Sequence, residues 1–212
     1  MLKTAALGLA LLLLPAAGCA DAERKPAEMA SAPTTLTSQA QECDLRVGVQ
    51  PAPDALLIAY EFRNRSARTA FLFNVLHRTG PSGGPETDSN LVYAQQSGDS
   101  VVLSKKIFPV PNDVDVEKPD VPYVTRVEPG QVFREKFTVP LPLKLWTPYP
   151  GSAAPTLPQA SVWFELGFFL APDPSFAKQS GGHLVVYPFP TEKQVVLRVG
   201  PLGRFPLATG AR

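Results

Sequence analysis

From residue 43 onward, apolar and polar side chains alternate with a period of two, the mark of strands that bury one face. Leu45, Val47 and Val49 alternate with Arg46, Gly48 and Gln50. Pro51-Ala52-Pro53-Asp54 reads as a turn, and residues 55–62 as a second strand with Leu56, Ile58, Tyr60 and Phe62 on one face. Asn64-Arg65-Ser66-Ala67 turns the chain, and residues 69–77 (TAFLFNVLH) return it. There Phe71, Phe73 and Val75 share one face, and Leu72 and Leu76 share the other. This strand–turn–strand pair is the predicted heart of the core.

Residues 78–90 hold three glycines and two prolines and read as a loop. Residues 91–95 and 101–108 predict a hairpin through Ser97-Gly98-Asp99-Ser100. A second hairpin is expected from residues 123–127 and 132–139 around Glu128-Pro129-Gly130-Gln131, because Pro then Gly suits the centre of a type II turn. In its second arm Phe133, Glu135, Phe137 and Val139 share a face. An acid between two phenylalanines points to an edge strand or to a partner for a cation. Residues 161–170 (SVWFELGFFL) form the most hydrophobic strand, residues 183–189 and 194–199 a last pair, and residues 200–212 a tail rich in Gly and Pro. No sustained helical period follows residue 20. About ten short strands with turn signals between them predict an all-β fold, an antiparallel immunoglobulin-like β-sandwich with long Pro-rich loops. A small barrel is the alternative.

The N-terminus has a different pattern. One lysine, Lys3, precedes an apolar run over residues 5–14, and Ala16-Ala17-Gly18-Cys19 follows. The run is about half the length needed to cross the ~30 Å hydrocarbon core. It fits the h-region of an export signal. The string LLLLPAAGC resembles the signal of bacterial lipoproteins, although that family usually has leucine where this chain has Ala16. The resemblance implies a signal peptide over 1–18, a diacylglycerol thioether and acylated amine on Cys19, and anchorage of the protein to the membrane through lipid. Ala20 follows the cysteine and Asp21 comes one place later, so by the same resemblance outer-membrane sorting, facing the periplasm, is expected. Residues 19–42 are polar and small, a composition that predicts a flexible tether spanning roughly 25 Å. The sandwich domain is then expected over 43–206, with 207–212 as a tail.

Composition narrows the picture further. The formal net charge is +1, and loss of Lys3 with the signal leaves the mature chain about neutral, which gives nucleic acid no clustered basic surface. Proline is unusually frequent, 24 in 212 residues, against a usual ~5%, and proline neither donates to a ladder nor tolerates a helix interior. Of two cysteines, lipidation of Cys19 leaves Cys43 alone, expected buried and without a disulfide.

Candidate chemistry is sparse. The chain has no G-x-S-x-G, H-E-x-x-H or C-x-x-C motif. Its two histidines, His77 and His183, lie far apart and are expected to be structural or solvated. Asp113, Asp115, Glu117 and Asp120 make an acidic loop, read as solvated, with calcium as the alternative; Glu86 and Asp88 repeat the idea more weakly. The segment VPLPLKLWTPYP favours an extended polyproline path, in which Trp146 and Tyr149 offer flat aromatic surfaces for a protein or sugar, or else cover one end of the sandwich together with Leu141 and Leu143. Lys105, Lys106, Arg134, Lys136 and Lys144 are expected on an outward, solvated face. Residues 55–139 resemble the immunoglobulin-like bacterial proteinase-inhibitor family through an apolar strand–turn–strand and the E-P-G-Q turn, with no inhibitory residue carried over. These observations predict a non-enzymatic envelope lipoprotein without cofactor or metal, with a protein-binding or assembly role. The alternatives are a carbohydrate- or calcium-binding module and, last, an envelope hydrolase using Glu135, Glu165 or a histidine.

Overall fold

A computed structural model describes residues 34–208 apart from 118, 150–154, 172, 187–188 and 190. The expected signal peptide, Cys19 and residues 20–33 of the tether lie outside the described residues. The strands in chain order are β1 (Thr34–Ala40), β2 (Cys43–Pro51), β3 (Ala55–Asn64), β4 (Thr69–Val75), β5 (His77–Thr79), β6 (Pro85–Thr87), β7 (Tyr93–Ser97), β8 (Ser100–Lys105), β9 (Tyr123–Val127), β10 (Val132–Pro140), β11 (Gln159–Ala171), β12 (Lys178–Ser180), β13 (His183–Val185) and β14 (Val195–Pro206). Among the described residues the helical content is two 3-10 turns, Pro174–Phe176 and Thr191–Lys193. The fold is all-β.

One sheet has the order β1-β2-β3-β10, the second β12-β13-β9-β4-β11-β8-β7 with β14 also on β11, and β5 and β6 form a two-stranded sheet of their own. The inner faces follow the alternation in the sequence. Leu45, Val47, Leu56, Ile58 and Phe62 meet Leu72, Leu103, Val162, Phe164, Leu166 and Phe168 in one core. Each such side chain contributes about 1.5–3 kcal/mol when buried. Phe62 packs edge-on against Phe168, ring centroids 5.2 Å apart. β4 is buried on both faces because Phe71 and Phe73 enter a second cluster with Phe169, Val186 and Phe189 on the far side of its sheet.

Several expectations about pairing are corrected. β3 and β4 are not a hairpin: β3 pairs with β2 and β10, and β4 with β9 and β11. The Asn64 turn therefore carries the chain from one sheet to the other. The Glu128–Gln131 turn does the same between β9 and β10. Its Gly130 has φ 76° and Gln131 N donates to Glu128 O at 3.0 Å, so the turn is present while the hairpin is not. The hairpin of β7 and β8 is as expected. β13 pairs with β12 and β9 rather than with β14, which lies along β11 and extends to Pro206, so residues 200–206 are strand rather than tail. β8 and β11 pair in parallel, so the second sheet is mixed rather than wholly antiparallel.

Residues 34–40 of the expected tether form β1, paired along its length with β2. The segment is polar, but as an edge strand it needs only Leu36 and Ala40 against the core while the ladder satisfies its backbone. Cys43 is a free, buried thiol, as expected.

Candidate functional site

The polyproline-like segment is fixed to the edge of the second sheet. Trp146 N donates to Ala94 O at 2.8 Å, and Ala94 N to Trp146 O at 2.7 Å, so the segment adds one bridge to β7. Its half-buried indole lies 5.3 Å from the Tyr93 ring. Tyr149 is buried, and its hydroxyl accepts from Asp120 N at 2.9 Å. Burial raises its pKa, and the charge of Asp120 raises it further while the Asp120 N–H opposes this. Leu143 is fully buried beneath the segment, so it both covers the end of the sandwich and leaves Trp146 at a lip.

That lip borders two depressions. One, of about 690 Å³, lies between His77, Arg78, Pro85, Asp120, Tyr123, Trp146 and Tyr149. The other, of about 510 Å³, lies between Asp88, Asn90, Val92, Thr138, Lys144 and Trp146, with Arg78 again in its wall. Trp146 and Arg78 line both, so the two depressions adjoin at an aromatic ring and a cation.

The two histidines, distant in sequence, flank one residue. Tyr123 stacks on His183 with centroids 4.4 Å apart and rings 3° from parallel, and lies 5.0 Å from His77. His77 Nε2 is 3.3 Å from Val121 O and 3.5 Å from Asp120 Oδ1. The tyrosine ring between them keeps the imidazoles from sharing a ligand. Among the described residues no group of three or more His, Cys, Asp and Glu converges as a metal site would need. In the acidic loop Asp113, Asp115 and Glu117 are exposed, while Val114 and Val116 pack on Leu76, Tyr93, Phe108 and Tyr149. Asp120 turns inward and accepts from the Tyr93 hydroxyl at 3.0 Å.

The basic stripe is corrected. Lys105 is fully buried, because it continues the inner face of Val101 and Leu103 at the end of β8. Its Nζ donates to Glu135 Oε1 at 2.6 Å and to Ser89 O at 2.8 Å, and lies 4.8 Å from the Phe137 ring centre. Glu135 sits on β10, an edge strand, and also partners a cation, so both expectations for it hold. Its Oε2 accepts from Tyr60 OH and, at 3.1 Å, from Asn74 Nδ2. Burial lowers the Lys105 pKa against the opposing pull of Glu135. Burial, then the Glu135 charge, raises that of Tyr60 well above the ordinary phenol range. Lys106 pairs with Glu165, and Arg134 with Glu61 at 2.7 Å, while Lys136 and Lys144 are exposed as expected. Glu135 and Glu165 are each paired with a lysine.

No protein-family model, curated protein or solved structure gives a match to this chain.

Proposed function

We propose that the chain is a non-enzymatic envelope lipoprotein whose immunoglobulin-like sandwich binds an extended segment of a protein partner along the two depressions that adjoin at Trp146. The single observation that carries this reading is that two neighbouring depressions share Arg78 and Trp146 in their walls. Two adjoining depressions suit successive side chains of a peptide better than a single sugar or an ion. An apolar side chain of the partner packs on the indole, and a partner carboxylate meets Arg78 or Lys144, both exposed. The aromatic supply also favours a protein over a glycan. Tyr149 is buried with its hydroxyl already engaged, which leaves Trp146 as the sole platform of the pair.

The LLLLPAAGC string supports anchorage through Cys19, whose thiol directly follows the small residues of the signal and offers a site for thioether lipid. Metabolic labelling with a fatty acid should mark the wild type and not Cys19→Ala; label in both, or in neither, refutes the anchor. For the two depressions, a partner cross-linked to the wild type in its native envelope should be lost from Trp146→Ala and kept by Lys193→Ala, an exposed change outside them. Equal recovery from both variants refutes the site. Heat from titration with glycans or calcium would favour the binding-module alternative.

A further inference from the structure

The buried cluster of Lys105, Glu135 and Asn74 holds a primary amine, a carboxyl group and a carboxamide in one apolar pocket. Among buried polar side-chain atoms of the described residues, Asn74 Oδ1 has no hydrogen-bond partner. A buried acceptor left without a partner forfeits its solvation with nothing in return, so its place there asks for a reason. The Glu135 carboxylate bridges the other two groups, with Lys105 Nζ 2.6 Å from Oε1 and Asn74 Nδ2 3.1 Å from Oε2. Phe137 lies under the amine, and Tyr60 donates to the same carboxylate from β3.

We propose that Lys105 and Asn74 join in an intramolecular amide bond, with Glu135 as the proton shuttle. The step needs no oxidant, metal or co-substrate. The Lys105 ammonium gives a proton to Glu135, leaving a neutral amine beside a neutral acid. In a low-dielectric pocket such a neutral pair is favoured over separated charges. With the Asn74 amide turned over, the new Glu135 O–H donates to Oδ1 and satisfies the orphan acceptor while polarising the carbonyl. Lys105 Nζ attacks Asn74 Cγ and the Nζ–Cγ bond forms. Glu135 relays a proton from Nζ to Nδ2, the Cγ–Nδ2 bond breaks, and the departing ammonia takes the remaining proton from the Glu135 carboxyl group and leaves as ammonium. Glu135 emerges unchanged, its side chain partly open to solvent beside the departing group.

Burial of Lys105 favours the amine form that the attack requires. The location gives the bond a purpose. β4 and β8, which carry Asn74 and end at Lys105, each pair with the long strand β11. A covalent tie between them would staple the second sheet. Cys43 is a free thiol, so the described residues contain no disulfide that does this.

Peptide mass mapping of the purified full chain tests the bond. Trypsin cuts after Arg68, Arg78, Lys105 and Lys106. With the bond formed, cleavage after Lys105 is blocked, and residues 69–78 appear joined to residues 79–106, one ammonia lighter than the two peptides together. Fragmentation should place the junction at Asn74 and Lys105. Glu135→Gln, which keeps the side-chain shape, should leave the peptides separate, and so should Asn74→Ala. Free peptides ending at Arg78 and Lys105 from folded wild-type protein would overturn the proposal, whatever the variants do. A joined peptide persisting in Glu135→Gln would overturn the role of Glu135.

Discussion

Asn64→Ala should be among the most destabilising single substitutions in the domain. The side chain is fully buried where β3 leaves its sheet. Its Nδ2 donates to Arg68 O at 2.7 Å and to Val127 O at 3.0 Å. Its Oδ1 accepts from Ser66 N at 3.0 Å and from Ser66 Oγ at 2.7 Å, with Cys43 Sγ at 3.7 Å. Its backbone also holds another crossing: Asn64 N donates to Gln131 O at 3.0 Å, and Gly130 N to Asn64 O at 2.8 Å. One residue thus binds two of the corners where the chain changes sheets. Alanine removes four side-chain hydrogen bonds of ordinary length. At about 1 kcal/mol net for each, the loss is roughly 4 kcal/mol. That is a large part of a typical total of about 5–15 kcal/mol. Urea unfolding gives the measure, with Arg65→Ala as the control. The control breaks only an exposed 2.6 Å pair with Asp44, and such pairs contribute about 0–1 kcal/mol. A loss below about 1 kcal/mol for Asn64→Ala, with an unchanged m-value, would refute the corner-pin argument.

Gly167→Ala should cost about 1–3 kcal/mol, because its Cβ would stand 2.3 Å from Gln194 Oε1 and 2.6 Å from Lys106 Cβ. Gln194 brackets Ile107, accepting from its N at 2.7 Å and donating to its O at 3.2 Å; adding Gln194→Ala to Gly167→Ala should therefore cost less than the two changes summed, by thermal unfolding. Cys43 should resist alkylation in the native state, since burial and then the Asp44 charge push its thiol from 9.0 up to about 11. Between those pH values the unfolded chain has lost the proton that the folded chain keeps, so stability falls as pH rises, by at most roughly 3 kcal/mol. Cys43→Ala should flatten that fall, and an unchanged slope would count against the assignment.

The faces of the strands were legible in the sequence, and their partners were not. Leu56, Ile58, Tyr60 and Phe62 all point inward as a period of two requires. That period reports only which side of a strand is apolar. Both the Asn64 and Gly130 turns look like hairpin turns locally, yet each crosses between sheets, a choice made by contacts such as Asn64 to Val127 across 63 residues. β1 escaped the composition argument for a related reason. An edge strand buries little, so a stretch with few large apolar groups still holds its place through the ladder to β2.

The same limit separates the two parts of the molecule that carry chemistry. Trp146 stood out in the sequence as an aromatic in an extended proline-rich run, and the structure places it at a lip because that run lies along an edge strand already formed. Lys105 was hidden by its neighbour. Lys105-Lys106 reads as a charged pair for solvent, yet continuing the alternation of Val101 and Leu103 by one step puts Lys105 on the inner face. An inward lysine must find a counter-charge, because an unpaired buried ammonium is prohibitively costly. The inward acid on the opposite sheet, Glu135 between Phe133 and Phe137, was visible by the same alternation. Two residues that break the apolar pattern on inner faces of facing sheets therefore call for each other. What alternation alone does not supply is their height along the strands, and so it could not bring Asn74 to the same carboxylate.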